Sequence, residues 1–153
     1  MSNQKPIRKQ PVHGVLRLNQ PTIVFVTVCT RDRRKLLTRD AVRDALLHAW
    51  NQADAWRIGR YVIMPDHIHL FAGLMDERFD LDQWVRYWKS LAAKSIAHPD
   101  FKWQSGYWAT RMRNAQQYES KWEDVKNNAV RHGLVEKACD WPYAGVIANL
   151  YWD

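Results

Sequence analysis

Two strand-like runs, Trp56–Met64 and His67–Leu74, are parted only by Pro65-Asp66, and no other feature of the sequence restricts the fold as tightly. Proline pre-sets its own φ and aspartate can hydrogen-bond back to the nearby backbone, so this pair forms a turn. The spacing predicts two strands in close succession. Upstream, the run from Thr22 (Thr-Ile-Val-Phe-Val-Thr-Val-Cys-Thr) is β-branched and aromatic, which suits a buried strand. A basic turn containing Arg31, Arg33, Arg34 and Lys35 follows it.

Helical spacing appears in three places. Ala41, Val42, Ala45, Leu46 and Trp50 form one apolar face of a helix over 39–53, with Thr38 as its expected cap. Leu81 to His98 reads as a second helix ending before Pro99, with Lys89 and Lys94 projecting outward. Asn114 caps a third, over 115–132, which Gly133 stops. With Tyr107 to Met112 as a fourth strand, the order is strand, helix, strand, strand, helix, strand, helix. Apart from the last helix this is the βαββαβ order of a ferredoxin-like antiparallel sheet with helices on one face. The expected organisation is a flexible basic arm over 1–13 and one domain over 14–153.

The chain of 153 residues carries 23 Lys+Arg against 16 Asp+Glu, a formal charge of +7, which favours a polyanionic partner such as nucleic acid. Nine Trp and six Tyr include Tyr87-Trp88-Lys89, Lys102-Trp103 and Lys121-Trp122. Rings beside cations suit stacking on unpaired bases, and rings also simply fill cores. Cys29 and Cys139 form no CxxC, so neither a disulfide framework nor a thiolate zinc site is indicated. No apolar run suits a signal core or a bilayer span, and a cytoplasmic protein without membrane contact is expected.

His67-Ile68-His69 is the sharpest chemical feature. Side chains alternate faces along a strand, so the two imidazoles point the same way and can chelate one divalent ion. Paired surface histidines without any ligand role satisfy the same spacing. Arg131 and His132, late in the last helix, suit either a phosphate contact or the helix dipole.

Longer motifs narrow the choice. Val62-Ile63-Met64-Pro65-Asp66-His67-Ile68-His69-Leu70 resembles the signature of HUH-type single-strand DNA transposases, above all the REP-associated tyrosine transposases. Trp103-Gln104-Ser105-Gly106-Tyr107-Trp108, the stretch Asn127 to Val135, and Asp140-Trp141-Pro142-Tyr143 resemble further segments of that family, in the same order. The resemblance implies a ferredoxin-like fold with the histidines on a central strand, and a magnesium or manganese ion held by His67, His69 and Asn128; the donor set would also accept zinc. It further implies a single-stranded or hairpin DNA partner, and a monomer or a homodimer. In the family a tyrosine on the last helix attacks the scissile phosphate with the metal as Lewis acid. This chain has Asp124 at that position, Ala109-Thr110 where an acid and a histidine are usual, and Ala129 where a proline is usual.

An acyl phosphate hydrolyses and cannot preserve the bond for rejoining, so Asp124 does not substitute for a phenol. It is expected either to ligate the ion or to face solvent. The phosphate-binding candidates are Arg31, Arg33, Arg34, Lys35, Lys89, Lys94, Arg131 and His132. Asp66 is read as a turn residue, and Tyr118 as a poor replacement nucleophile. The leading expectation is a DNA-binding protein without tyrosine chemistry. The alternatives are an active metal-dependent transposase or endonuclease using another nucleophile or water, and a protein-interaction module that has lost DNA binding.

Overall fold

The computed structural model describes residues 22–151, so the arm expected over 1–13 lies outside the described residues. Strand β1 (Ile23–Cys29) leads through a basic turn to helix α1 (Asp40–Gln52), followed by strands β2 (Trp56–Ile63) and β3 (His67–Leu74). Helix α2 (Leu81–Ser95), strand β4 (Trp108–Met112), helices α3 (Ala115–Lys126) and α4 (Asn128–Arg131) and strand β5 (Ala144–Val146) complete the order. The five strands form one antiparallel sheet in the order β4-β1-β3-β2-β5. The first four have the expected ferredoxin-like arrangement. The fifth is a three-residue edge strand that no alternation in the sequence announced.

Period-two alternation divides the strands between two cores. Val24, Val26 and Val28 of β1 and Ile68, Leu70 and Ala72 of β3 face α1 and α2, where Leu46, Trp50, Trp84 and Trp88 are buried against them. Ile23, Phe25 and Phe71 face the opposite side and meet Met112, Tyr118, Val125 and Ala129. Helices α1 and α2 thus cover one face as expected, while α3 and α4 lie across the other. Phe71 joins them, with its ring 4.7 Å from that of Tyr118 and 6.3 Å from that of Trp122. Arg60 of β2 lies over both rings, at 5.1 and 5.4 Å, and pairs with Glu119 at 3.0 Å.

Several expected boundaries move. Thr38 does not cap α1: the N-cap is Arg39, with no side-chain cap bond, and Ala41 is exposed. Helix α2 begins with a capping box, in which Asp80 accepts from the Gln83 backbone and Gln83 accepts from that of Asp80. It ends at Ser95, short of the expected His98. The single helix expected over 115–132 is two, because Asn127 (φ −91°, ψ 7°) leaves helical geometry. Asn114 does cap α3, accepting from Gln117. Gly133, at φ +70°, ends α4 with the left-handed turn that glycine adopts without strain.

Removing the ring that joins sheet and α3 should be costly. Phe71→Ala is expected to lower unfolding stability by about 3–5 kcal/mol, as buried Phe truncations do. Urea denaturation checks this, and a loss under 1 kcal/mol would show that α3 is not anchored there.

A histidine pair at the end of a central strand

The register of β1 against β3 sets Thr27 opposite His69 and Cys29 opposite His67. Both imidazoles lie on the α3 side of the sheet, as the alternation requires, with ring centroids 4.7 Å apart and planes at 73°. Each has its Nδ1 engaged by a side chain at the sheet end. His67 Nδ1 lies 2.7 Å from Asp66 Oδ1, and His69 Nδ1 lies 2.8 Å from Thr27 Oγ1.

The Asp66 carboxylate also accepts from Arg33 Nε at 3.0 Å. Burial opposes ionisation of Asp66, but the bonds from His67 and Arg33 outweigh it and hold the carboxyl well below the usual range. An ionised carboxylate only accepts, so His67 donates through Nδ1 and turns Nε2 outward. That Nε2 lies 3.3 Å from Asn128 Nδ2, which brings α4 over the end of β3. His69 is pushed down to about 3, first by burial and then by His67, Lys121, Arg33 and Arg131, so its ring is neutral at physiological pH. Thr27 Oγ1 can accept from Nδ1–H, the tautomer of His69 that leaves a lone pair on Nε2. A carboxylate or hydroxyl fixing one ring nitrogen while the other stays basic is how metal-binding imidazoles are commonly oriented.

The surrounding loops are stitched to this end of the sheet. Thr30 donates through Oγ1 to the carbonyls of Arg34 and Asp66, at 2.8 and 3.2 Å. Arg31 donates from its backbone to Lys102, and Gln104 to Cys29, both at 2.9 Å. Asp32 and Arg33 adopt φ of +58° and +53°, a left-handed conformation costly for such residues, beside the histidines.

The residues expected at the site divide into groups. His67, His69 and Asn128 come together. Arg33 reaches Asp66, while Arg31, Arg34 and Lys35 are exposed on the same turn, Arg34 pairing with Asp100 at 3.1 Å. Arg131 and His132 are exposed just beyond Asn128, and Lys94 is exposed on α2. Lys89 does not project outward. It is half-buried, donates to the carbonyls of Gln104 and Gly106 at 2.9 and 3.3 Å, and receives the Trp103 indole N–H on its own carbonyl at 2.9 Å. The adjacent Trp88 is fully buried, so that aromatic-cation pair belongs to the core.

Asp124 is exposed and lines a cleft with Thr110 and Lys121. Among the described residues no three of His, Cys, Asp and Glu gather as a metal shell. Ala109 and Thr110 point to opposite faces, Ala109 buried toward α1 and α2 and Thr110 exposed. Tyr118 is 3% exposed against Phe71. The sequence reading missed Asp66 as the anchor of His67, and Thr27 and Lys121 as neighbours of His69. The parity of Thr27 on β1 was a usable signal for the second; nothing local marked the third.

This sheet, with its histidine pair and a helix laid over it, is that of a transposase domain. The chain belongs to the family Transposase IS200 like, whose model matches residues 22–128. It is 27% identical over 125 residues to the REP-associated tyrosine transposase of Escherichia coli K12, covering 78% of this chain and 73% of that one. A solved REP-associated tyrosine transposase bound to a REP hairpin shares the fold, with a TM-score of 0.72 at 24% identity over 92% of this chain and 82% of that one. No helix among the described residues is long and apolar enough to cross a membrane.

The depressed His69 pKa has a measurable consequence. The unfolded chain takes up this proton near pH 6.5 and the folded chain only near 3, so stability present above 6.5 is lost progressively as pH falls through that window. In chelator-treated protein the thermal midpoint should fall between pH 6.5 and 4, and His69→Gln should flatten that part of the profile. An unchanged profile in the variant would contradict the assignment.

Proposed function

We propose that this chain is a transposase-derived DNA-binding protein, its residues from 14 onward acting as one domain, that holds single-stranded or hairpin DNA against a divalent-metal site and lacks tyrosine-nucleophile chemistry. The observation that carries the reading is the convergence of His67, His69 and Asn128, with the outward nitrogen of His67 already facing the Asn128 amide. Two imidazoles and an amide oxygen suit magnesium or manganese whose remaining positions are filled by solvent and a phosphate. Once bound, such an ion would polarise a phosphodiester as a Lewis acid. His67 and His69 hold position through Asp66 and Thr27. Arg31, Lys35 and Arg131 offer cations, and His132 a ring N–H, for the backbone of a strand crossing that end of the sheet. The similarity to a transposase solved with a REP hairpin supports a hairpin as the form of DNA.

The absent nucleophile rests on Asp124. A carboxylate cannot form a phosphodiester-preserving intermediate, and Tyr118, buried on Phe71 and covered by Arg60, has no approach for a phosphate. The expected result with end-labelled hairpin DNA and manganese is binding without a gel-stable adduct and without cleavage. A wild-type adduct would overturn the loss of covalent chemistry, and clean cleavage would favour water as nucleophile. Asp124→Tyr, alone or with Thr110→His, should yield an adduct, because the position is exposed and accepts a ring without displacing core.

Salt dependence separates contacts from supports. Arg31→Ala and Lys35→Ala should each lower the slope of log K against log salt by about one, as lost phosphate contacts do. Lys89→Met should leave the slope unchanged, since its ammonium is committed to two carbonyls. A slope change in the Lys89 variant would return that residue to the DNA interface.

A further inference from the structure

Among the described residues Asp32 and Arg33 are the only non-glycine residues with positive φ, at +58° and +53°. Two consecutive side chains in the left-handed region go against the ordinary preference of L-residues, so the surrounding structure must hold them there. It does so from both ends of the turn. The backbone N–H groups of Thr30 and Leu37 donate to the carbonyls of Asp66 and Pro65, each at 3.0 Å. Inside the turn the Arg33 backbone donates to the Thr30 carbonyl at 3.2 Å, and the buried Thr30 hydroxyl donates to that of Arg34 at 2.8 Å. The left-handed pair is thus pinned against the Pro65-Asp66 turn that opens β3.

This backbone delivers one guanidinium to the site. Arg33 Nε donates to Asp66 Oδ2 at 3.0 Å, while Asp66 Oδ1 lies 2.7 Å from His67 Nδ1. Both carboxylate oxygens are therefore held. Arg33 Nη2 stands 3.4 Å from the same Nδ1 and closes the third side of the triangle. Without Arg33 the carboxylate would keep only its contact with His67 and could turn about χ1 and χ2, carrying the anchor of the ring with it. A cation close to a metal-binding imidazole is otherwise a disadvantage, because like charges repel. Its placement there on unfavourable backbone calls for a role that outweighs the repulsion.

We propose that Arg33 is a positioning residue of the cation site, locking the Asp66 carboxylate so that His67 keeps Nδ1 turned to Asp66 and Nε2 turned toward the cation. The proposal rests on the metal-binding reading above and adds to it a residue that acts through another without touching the cation. Arg31 and Lys35 lie on the same turn, so the segment that meets the DNA backbone is also the one that sets the imidazole.

Manganese binding to the full chain without DNA, read from the free-ion electron paramagnetic resonance signal, tests this, because charge and position predict opposite signs. By charge alone, removing Arg33 should tighten binding. As a positioning residue, Arg33→Met should weaken it roughly ten- to a hundredfold, the usual cost of losing an outer partner of a metal-binding histidine. Arg33→Gln places an amide nitrogen where Nε stood and carries no charge, so it should bind at least as tightly as the wild type. In an Asp66→Ala background Arg33→Met should weaken binding no further, since the two residues act in series. Unchanged or tighter binding in Arg33→Met, or a glutamine variant as weak as the methionine one, would overturn the role while leaving the cation site in place. Should the methionine variant not fold, a loss of tenfold or more in Arg33→Gln would overturn it alone. Absence of manganese binding by the wild type, with or without the hairpin, would overturn the cation site and this role together.

Discussion

The pairing of β1 with β3 governs everything at the site. Its register places Thr27 across from His69, so a hydroxyl from one strand orients an imidazole on the next. A slip of one residue would turn both histidines into the core beneath α1 and α2 and bring Ile68 and Leu70 to the surface. That core therefore enforces the register. The valines of β1 and the aliphatic residues of β3 are buried together only in alignments of this parity, and the face on which the histidines stand follows from it.

The two faces then take different roles. The α1 and α2 side is filled by Leu, Val and Trp and carries no chemistry beyond its own packing. The α3 side is apolar at one end, where Phe71, Tyr118 and Val125 meet, and polar at the other, where the histidines, Asp66 and Arg33 gather. Phe71 and His69 occupy successive positions on the same face of β3, so the contact that anchors α3 also fixes how that helix approaches the imidazoles. The break at Asn127 lets Asn128 turn toward His67 while Asp124 stays at the cleft with Thr110. On a continuous helix those two residues would share a face.

How much of this was legible follows from the range of each interaction. The strand assignment of His67–Leu74, the shared face of the histidines and the strand order came from local periodicity and turn chemistry, which act over a few residues. The Asp66 carboxylate looked like turn chemistry because its neighbour Pro65 explained it, whereas its bond from Arg33 spans 33 positions and needs the β1 turn folded against β3. Lys89 was read as exposed because a lysine beside a tryptophan on an amphipathic helix usually is. Its two carbonyl acceptors belong to a loop that only the tertiary fold brings near. Strand β5, three residues long and paired at the sheet edge with β2, has too little alternation to be read at all.

The central claim is that His67 and His69 together bind one divalent cation beside bound DNA. Electron spin echo spectroscopy of manganese with the protein and a hairpin tests it directly. The account predicts modulation from two imidazole nitrogens, reduced to one by His67→Ala or by His69→Ala. A manganese spectrum without nitrogen coupling, or one unaffected by either substitution, would contradict it.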